Sequence, residues 1–243
     1  MNKQIIILAA GKGSRMKSEL PKVMHPVGGK PMLEHVVSNC TQITNDLILV
    51  YSLHLEPYLS QFKDRCQLVE QKEQLGTGHA VAVTKDFFKN ERTIAVIYGD
   101  NPLITQKIIN NLFDHLEATK SQVVTLAFEY DEPNQYGRIV IDQDVNYQRI
   151  VEAKLANEEE KKITLCNSGI MAFAPGILAK YIDGCLSQDS TQSDKELYLT
   201  EIIEICAKAG EKVSYFKSYN HNLLVGVNTH DELATANSII NNK

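Results

Sequence analysis

Short apolar runs rich in β-branched residues recur along the chain, separated by stretches whose apolar positions fall at helical spacing. Ile5 to Leu8 is the first run, and its unbroken apolar character is that of a parallel strand covered on both faces. Leu47–Val50, Gln67–Val69 and Thr93–Tyr98 read as further strands, and 32–40, 77–89 and 105–119 as helices between or after them. This βαβ alternation predicts an α/β fold with a mostly parallel sheet and helices on both faces. From Val123 the texture changes. Val123–Phe128, Ile139–Asp142 and Ile170–Phe173 predict strands of a smaller, mixed β part, joined by polar loops, and a helix-like segment runs from Asp231 to Ile240. We expect one domain over 1–243, with halves of about 1–120 and about 121–243.

In open α/β sheets the ligand sits beyond the carboxyl ends of the strands. Gly11–Arg15 and Gly99–Asp100 both fall at such ends, so motifs far apart in sequence converge on one cleft. After Leu8, the residues Ala9, Ala10, Gly11 and Gly13 carry almost no side chain. Backbone N–H groups there can close on a flat base or an anionic oxygen. Arg15 and Lys22 add two fixed positive charges, one suited to a bidentate grip and one to a point contact. Two common phosphate motifs fail. A dinucleotide fingerprint needs a third glycine where Met16 stands, and a Walker A loop needs Ser or Thr after Gly29-Lys30, where Pro31 stands.

Composition narrows the class. A chain of 243 residues buries roughly 70–75% of its unfolded surface and needs no covalent staples. Its 43% apolar and 23% charged residues are ordinary for a globular protein. A net charge of −5 argues against a nucleic-acid partner. No apolar run reaches the length of a membrane span, and the start of the chain is too polar after Leu8 for a signal peptide, so the expected compartment is the cytoplasm. The five cysteines are widely spaced and form no C-x-x-C pair, which speaks against a disulfide framework and a structural zinc site. Glu158–Lys162 reads as a solvated charged face.

The stretch Leu8-Ala9-Ala10-Gly11-Lys12-Gly13-Ser14-Arg15-Met16, with Leu20-Pro21-Lys22-Val23 and Gly29-Lys30-Pro31-Met32-Leu33, resembles the start of the sugar-nucleotide pyrophosphorylases. It is most similar to the N-terminal uridylyltransferase domain of the bifunctional bacterial enzymes that make UDP-N-acetylglucosamine. Gln71–Ala80, Tyr98–Ile104, Tyr136–Ile139, Ile150–Lys154, Asn167–Ile170 and Val225–Asn228 follow in that family's order, so the resemblance covers nearly the whole chain. It implies a Rossmann-like nucleotide-diphospho-sugar transferase fold and Mg²⁺-dependent transfer of a uridylyl group from UTP to N-acetylglucosamine-1-phosphate, with pyrophosphate released. The acetyltransferase half of the bifunctional relatives is built of hexapeptide repeats, and none is found here, so that domain is expected to be absent from this chain.

The resemblance also implies roles. The attacking sugar-phosphate oxygen is already anionic, so the site must supply in-line positioning and charge neutralisation in place of a strong base. Arg15 and Lys22 are the expected catalytic cations. Asp100 and Asn228 are the expected Mg²⁺ ligands; one carboxylate and one amide leave room for phosphate oxygens and water. Leu8, Ala9, Ala10, Gly11, Gly13, Gln71, Gln74, Gly76, Thr77 and Gly99 are expected around the nucleotide, Thr77 doubling as a helix cap. Gly137, Glu152, Asn167, Tyr198 and Thr200 are expected around the sugar, with Tyr98 and Lys154 as neighbours. Four positions depart from the family's usual residues: Val225 for an acidic residue, Leu197 for an aromatic, Glu201 for Asp, and Asn101 for a small or apolar residue. The same machinery would serve a nucleotidyltransferase for another sugar phosphate or base. A non-catalytic nucleotide-binding module is the reading that the joint presence of Arg15, Lys22, Asp100 and Asn228 opposes.

Overall fold

The structure, a computed structural model, describes residues 2–131, 135–141, 147–186 and 196–241. In chain order the strands are β1 (Lys3–Leu8), β2 (Pro26–Val27), β3 (Lys30–Pro31), β4 (Leu47–Tyr51), β5 (Gln67–Glu70), β6 (Thr93–Tyr98), β7 (Val123–Glu129), β8 (Gly137–Ile141), β9 (Tyr147–Val151), β10 (Leu165–Phe173) and β11 (Val213–Ser218). The helices are α1 (Met32–Thr41), α2 (Thr77–Ala82), α3 (Gln106–Thr119), α4 (Ile177–Tyr181), α5 (Glu201–Lys208) and α6 (His230–Asn241). Among the described residues nine strands form one sheet, with the order β11-β7-β10-β6-β1-β4-β5 and the β8–β9 hairpin attached to β10. β1 runs parallel to both β4 and β6, β5 parallel to β4, and β11 parallel to β7. β10 alone on that path runs antiparallel, to β6 on one side and β7 on the other. The mixed part expected after Val123 is therefore continuous with the parallel part, joined through β10.

The unbroken apolar runs follow from burial on both faces. Along β1, Ile5 and Ile7 pack with α1 and α3 on one face, while Ile6 and Leu8 pack with α2, α4 and α5 on the other. Phe113 and Leu112 of α3 lie in the first layer, Ile202, Ile203 and Cys206 of α5 in the second. A third, smaller apolar cluster joins α6, through Ala236 and Leu233, to Val27, Met32, Leu103 and Val227. This cluster docks α6 beside the strand ends. All five cysteines are free and buried. No helix among the described residues is long and apolar enough to cross a membrane.

Most predicted elements appear within a few residues of their expected bounds. The helix expected over 77–89 is shorter: α2 stops at Ala82, where the amide and hydroxyl of Thr84 both turn back to the Val81 carbonyl (3.0 and 2.7 Å). That local bonding competes with helix continuation. Lys85–Phe87 is a separate 3-10 turn. Asp142, expected to close a strand, lies outside the described residues.

Because Ile6 and Ile7 are both fully buried yet face opposite layers, truncating either should destabilise the protein to a similar extent. We expect Ile6→Ala and Ile7→Ala each to lower the unfolding free energy by about 2–5 kcal/mol in denaturant titrations. A strand with one solvated face would give one large and one small effect.

Candidate active site

The parallel register sets Leu8 of β1 beside Tyr98 of β6, so the two chain exits lie side by side. The amide of Gly99 donates to the carbonyl of Leu8 (2.9 Å) and that of Ala9 to Val50 (2.8 Å), which holds both exits flat. Beyond them opens a cavity of about 580 Å³. Leu8, Ala9, Ala10, Gly11 and Gly13 form one wall, Arg15 and Lys22 line the same side, and Gln71, Gln74, Gly76, Thr77, Tyr98, Asp100 and Asn228 complete it. Fourteen expected residues thus share one cavity.

Charge is concentrated at one end. The Lys22 ammonium contacts the Asp100 carboxylate and donates to Oδ1 of Asn228 (2.9 Å). Arg15 Nη2 donates to the same amide oxygen (3.0 Å). Gly13, with φ +62°, lies against Lys22: a Cβ there would come within 2.7 Å of the lysine Cβ. Glycine is thus required both by the left-handed backbone and by the space. Asn228 is brought in by three contacts. The Val227 amide donates to the Asp100 carbonyl (2.9 Å), Asn101 Nδ2 donates to the Leu224 carbonyl (2.9 Å), and Asn228 Nδ2 donates to the Gly226 carbonyl (3.0 Å). Asn101, a departure from the family pattern, is therefore a buried clamp on the returning segment.

The start of α6 holds Asn228 from the other side. The Thr229 hydroxyl accepts from the Glu232 amide (3.2 Å), and the Glu232 carboxylate accepts from the amides of Thr229 (2.9 Å) and Asn228 (2.6 Å). This is a capping box extended by one residue. Glu232 is absent from the expected site residues, although the spacing Thr229-x-x-Glu232 carries its signal.

At the other end, Gln71 is buried and its amide nitrogen is committed twice, to the Gly76 carbonyl (3.1 Å) and to Nδ1 of His79 (3.1 Å). Gln74 Nε2 donates to the Gln71 carbonyl (2.9 Å). Gly76, at φ +122°, lies so close to Leu197 that a Cβ would approach its carbonyl oxygen to 2.4 Å. The Gly78 amide donates to that carbonyl, and the Leu197 amide donates to Leu75, both at 2.8 Å. Leu197, another departure, thus contributes backbone to this loop. The expectation that Thr77 caps α2 is corrected. Gly76 is the cap residue, and the Thr77 hydroxyl instead accepts the Leu199 amide (3.0 Å), because the 196–199 segment packs against this turn.

Among the residues expected around the sugar, Gly137, Asn167, Glu152 and Thr200 come together, outside the cavity lining described above. Gly137 pairs with Asn167 across β8 and β10, and a Cβ on Gly137 would lie 3.6 Å from Oε2 of Glu152. The Thr200 hydroxyl donates to Oε1 of Glu152 (2.7 Å). Tyr98 links this group to the cavity: its ring packs on Gly169, where a Cβ would come within 2.8 Å. Burial pushes the Tyr98 phenol up, with the charges of Glu152 and Asp100 adding to it. Tyr198 stands further out, donating to Glu196 (2.9 Å), which also takes a contact from Lys154 (3.3 Å). Glu196 lines the cavity and was not among the expected residues. Gly99 is in the floor beneath, packed against Leu33 and Ala9. Within the run 158–162, Lys161 and Lys162 make exposed ion pairs, but Glu160 pairs with Arg149 (2.6 Å) and accepts the Asn157 amide (2.9 Å), so that face is only partly solvated.

Among the described residues no group of three or more His, Cys, Asp or Glu side chains is placed to hold a metal. Asp100 and Asn228 form a smaller donor set, one carboxylate and one amide oxygen, already arranged around a cationic group.

Comparison with known proteins places the chain in a family. The description "MobA-like NTP transferase domain" matches residues 5–170. The chain is 38% identical over its full length to a bifunctional protein GlmU from Enterococcus faecalis, of which it covers 53%. It is 40% identical over 97% of its length to that of Lactococcus lactis subsp. cremoris, covering 51%. It is 36% identical over 96% of its length to that of Desulfotalea psychrophila, covering 68%. The chain therefore spans about half the length of the first two relatives. A solved Bacillus anthracis structure, described as a candidate glucose-1-phosphate thymidylyltransferase in complex with a sucrose, matches with a TM-score of 0.74 and 22% identity over 98% of this chain and 94% of that one, a likeness of fold.

Glu152 gives a pH prediction. Burial raises its carboxyl above the ordinary value of 4.5, more than the Thr200 hydrogen bond lowers it. A raised folded-state value means that the native state holds this proton more tightly than the unfolded chain, so the associated stability is present at low pH and lost as pH rises through the folded value. Glu152→Gln should match wild type in stability below about pH 4 and exceed it progressively above, in denaturant titrations at several pH values. A constant difference across pH would place the Glu152 carboxylate in a well-solvated setting.

Proposed function

The chain belongs to the MobA-like NTP transferase family, and we propose that within it this protein transfers the uridylyl group of UTP to N-acetylglucosamine-1-phosphate, releasing pyrophosphate. One observation carries this reading: Lys22 is held between Asp100 and Asn228, with Arg15 on the same amide, at the mouth of a wall of small residues. That arrangement suits the crowded negative charge of a triphosphate meeting a sugar phosphate. A sugar-phosphate oxygen attacks the α-phosphorus, the bond to the β-phosphate oxygen breaks, and pyrophosphate leaves. The attacking oxygen is anionic near neutral pH, so the residues act by position and charge. Arg15 and Lys22 offset the charge that builds on the phosphates, and Gly11, Lys12 and Gly13 line the same space.

The donor set fits a magnesium ion. Asp100 Oδ2 and Asn228 Oδ1 both meet the Lys22 ammonium, so two hard oxygens already converge on a positive centre. Asp100 and Asn228 would hold the ion, and it would supply further charge neutralisation on the triphosphate. For the base, Gln71 leaves its amide oxygen for the ligand, since its nitrogen faces a carbonyl that can only accept. An acceptor at that point suits the imide N–H of uracil and disfavours the bare ring nitrogen of cytosine. For the sugar, Glu152 and Asn167 offer a carboxylate and an amide side by side.

The test is pyrophosphate release by the purified protein with Mg²⁺, UTP and N-acetylglucosamine-1-phosphate, beside glucose-1-phosphate and the other triphosphates. We expect strong release confined to the first pair. Release only with another pair would replace the substrate assignment, and none with any pair would return the protein to a binding role. Asp100→Ala should reduce turnover by about 10²–10³ or more while leaving the circular dichroism spectrum unchanged; wild-type turnover in that variant would remove Asp100 from the metal site.

A further inference from the structure

Thr125 is fully buried in β7, and its hydroxyl donates across the sheet to Oδ1 of Asn167 (2.9 Å). The same oxygen accepts the backbone amide of Gly169 (2.9 Å). A backbone N–H can only donate, so the atom it meets must be the oxygen of the asparagine amide. The orientation of Asn167 is thereby set by the chemistry of its neighbours. A local irregularity of β10 produces both contacts. Its register against β7 shifts between Asn167 and Met171, and within that bulge Gly169 adopts φ +84°. The Ser168 hydroxyl donates to the Leu126 carbonyl (2.7 Å) and accepts the Ile170 amide (3.2 Å), which fixes the bulge in place. Bulges of this kind re-aim side chains next to binding sites.

With its oxygen held from two directions, Asn167 has its amide nitrogen left to offer. On the paired strand Gly137 replaces any side chain, and Oε2 of Glu152 lies 3.6 Å from where a Cβ would stand. The Thr200 hydroxyl already donates to the other oxygen of Glu152 (2.7 Å). A donor from Asn167 and an acceptor from Glu152 therefore stand next to each other. We propose that Thr125 is a positioning residue that, beside the Gly169 amide which sets the polarity, holds the Asn167 oxygen in place and so keeps Asn167 a dedicated hydrogen-bond donor, and that the site selects a sugar phosphate presenting an acceptor oxygen to Asn167 beside a hydroxyl that donates to Glu152. This rests on the reading of Asn167 and Glu152 as sugar contacts. A sugar with the opposite pattern leaves the Asn167 N–H groups unpaired, and a buried donor without a partner is strongly disfavoured.

Steady-state kinetics of Thr125→Val, Thr125→Ser, Asn167→Ala and the Thr125→Val/Asn167→Ala double variant test this. Thr125→Val keeps the shape and removes the hydroxyl. We expect it to raise the KM for N-acetylglucosamine-1-phosphate roughly 2- to 12-fold, the range of one hydrogen bond, with the KM for UTP unchanged. Thr125→Ser, which keeps the hydroxyl, should restore the wild-type value. In the Asn167→Ala background Thr125→Val should add nothing, because its effect passes through Asn167. Equal rises in both KM values, no rescue by serine, or an additive double variant would overturn the positioning role. An unchanged sugar-phosphate KM in Asn167→Ala would instead overturn the reading of Asn167 as a sugar contact. One measurement needs no variant of Thr125. In ¹⁵N–¹H spectra of the wild-type protein, the side-chain NH₂ pair of Asn167, identified by its loss in Asn167→Asp, should shift on adding N-acetylglucosamine-1-phosphate with UTP and Mg²⁺. A stationary pair with binding demonstrated by other resonances would exclude the donor role.

Discussion

The hydrogen bond from the Val227 amide to the Asp100 carbonyl (2.9 Å) joins two segments separated by more than a hundred residues, and the charged end of the cavity depends on it. Asp100 leaves β6 at a strand end that the sheet fixes. Asn228 has no sheet to fix it and stands where it does because its neighbour is tied to Asp100. Asn101 closes the same junction from one side and the Glu232 carboxylate from the other. Each of these contacts satisfies a backbone group that would otherwise be shielded from water without a partner, a loss on the order of 1–3 kcal/mol. Loosening the junction would therefore separate Asn228 from Lys22 and Arg15 before it disturbed the sheet.

The charges at this junction are mutually dependent. Lys22 and Asp100 are both largely shielded, with side chains 13% and 15% exposed. A carboxylate so placed needs a compensating cation, and removing one partner of such a pair usually destabilises more than the pair itself stabilises. Lys22 fills that need, while the absence of a Cβ on Gly13 leaves the room its stem occupies. The Asp100 and Asn228 oxygens that meet the ammonium are hard donors of the kind a divalent ion favours. Lys22 therefore has two effects at once: it neutralises Asp100 and supplies positive charge to the cavity.

Much of this was legible in the sequence, for reasons that can be named. Ile5–Leu8 and Thr93–Tyr98 are apolar without alternation because both faces of their strands are covered, and small or acidic residues immediately after them mark strand ends that open on the cavity. Arg15, Lys22 and Asp100 lie within reach of those ends in sequence as well as in space. The strand β11 was not readable in the same way, since every residue of Val213–Ser218 is only half-buried and no clean pattern results. α5 does carry a signal, for Ile202, Ile203 and Cys206 follow a helical stripe. Glu232 carried a capping signature, but its grip on Asn228 depends on where α6 docks. Thr125 carried no signal at all. A threonine in a strand is ordinary, and only the shifted register of β10 turns it toward Asn167.

Two amide side chains show how the fold assigns polarity to groups that have none of their own. An asparagine or glutamine amide offers donor and acceptor alike, and either edge could face a ligand. For Gln71 the Gly76 carbonyl draws in the nitrogen and leaves the oxygen outward; for Asn167 the Gly169 amide draws in the oxygen and leaves the nitrogen outward. In both cases the fixed partner is a backbone group at a glycine with positive φ, a conformation in which the chain can bring its own N–H or C=O against a side chain. A backbone group cannot exchange donor for acceptor, so the choice survives changes of solvent, pH and rotamer. A side-chain partner such as serine could rotate its hydroxyl and let the amide flip. Selectivity built this way is strict toward hydrogen-bond pattern, because the wrong ligand strands a buried polar group, and lenient toward ring shape, which neither amide senses.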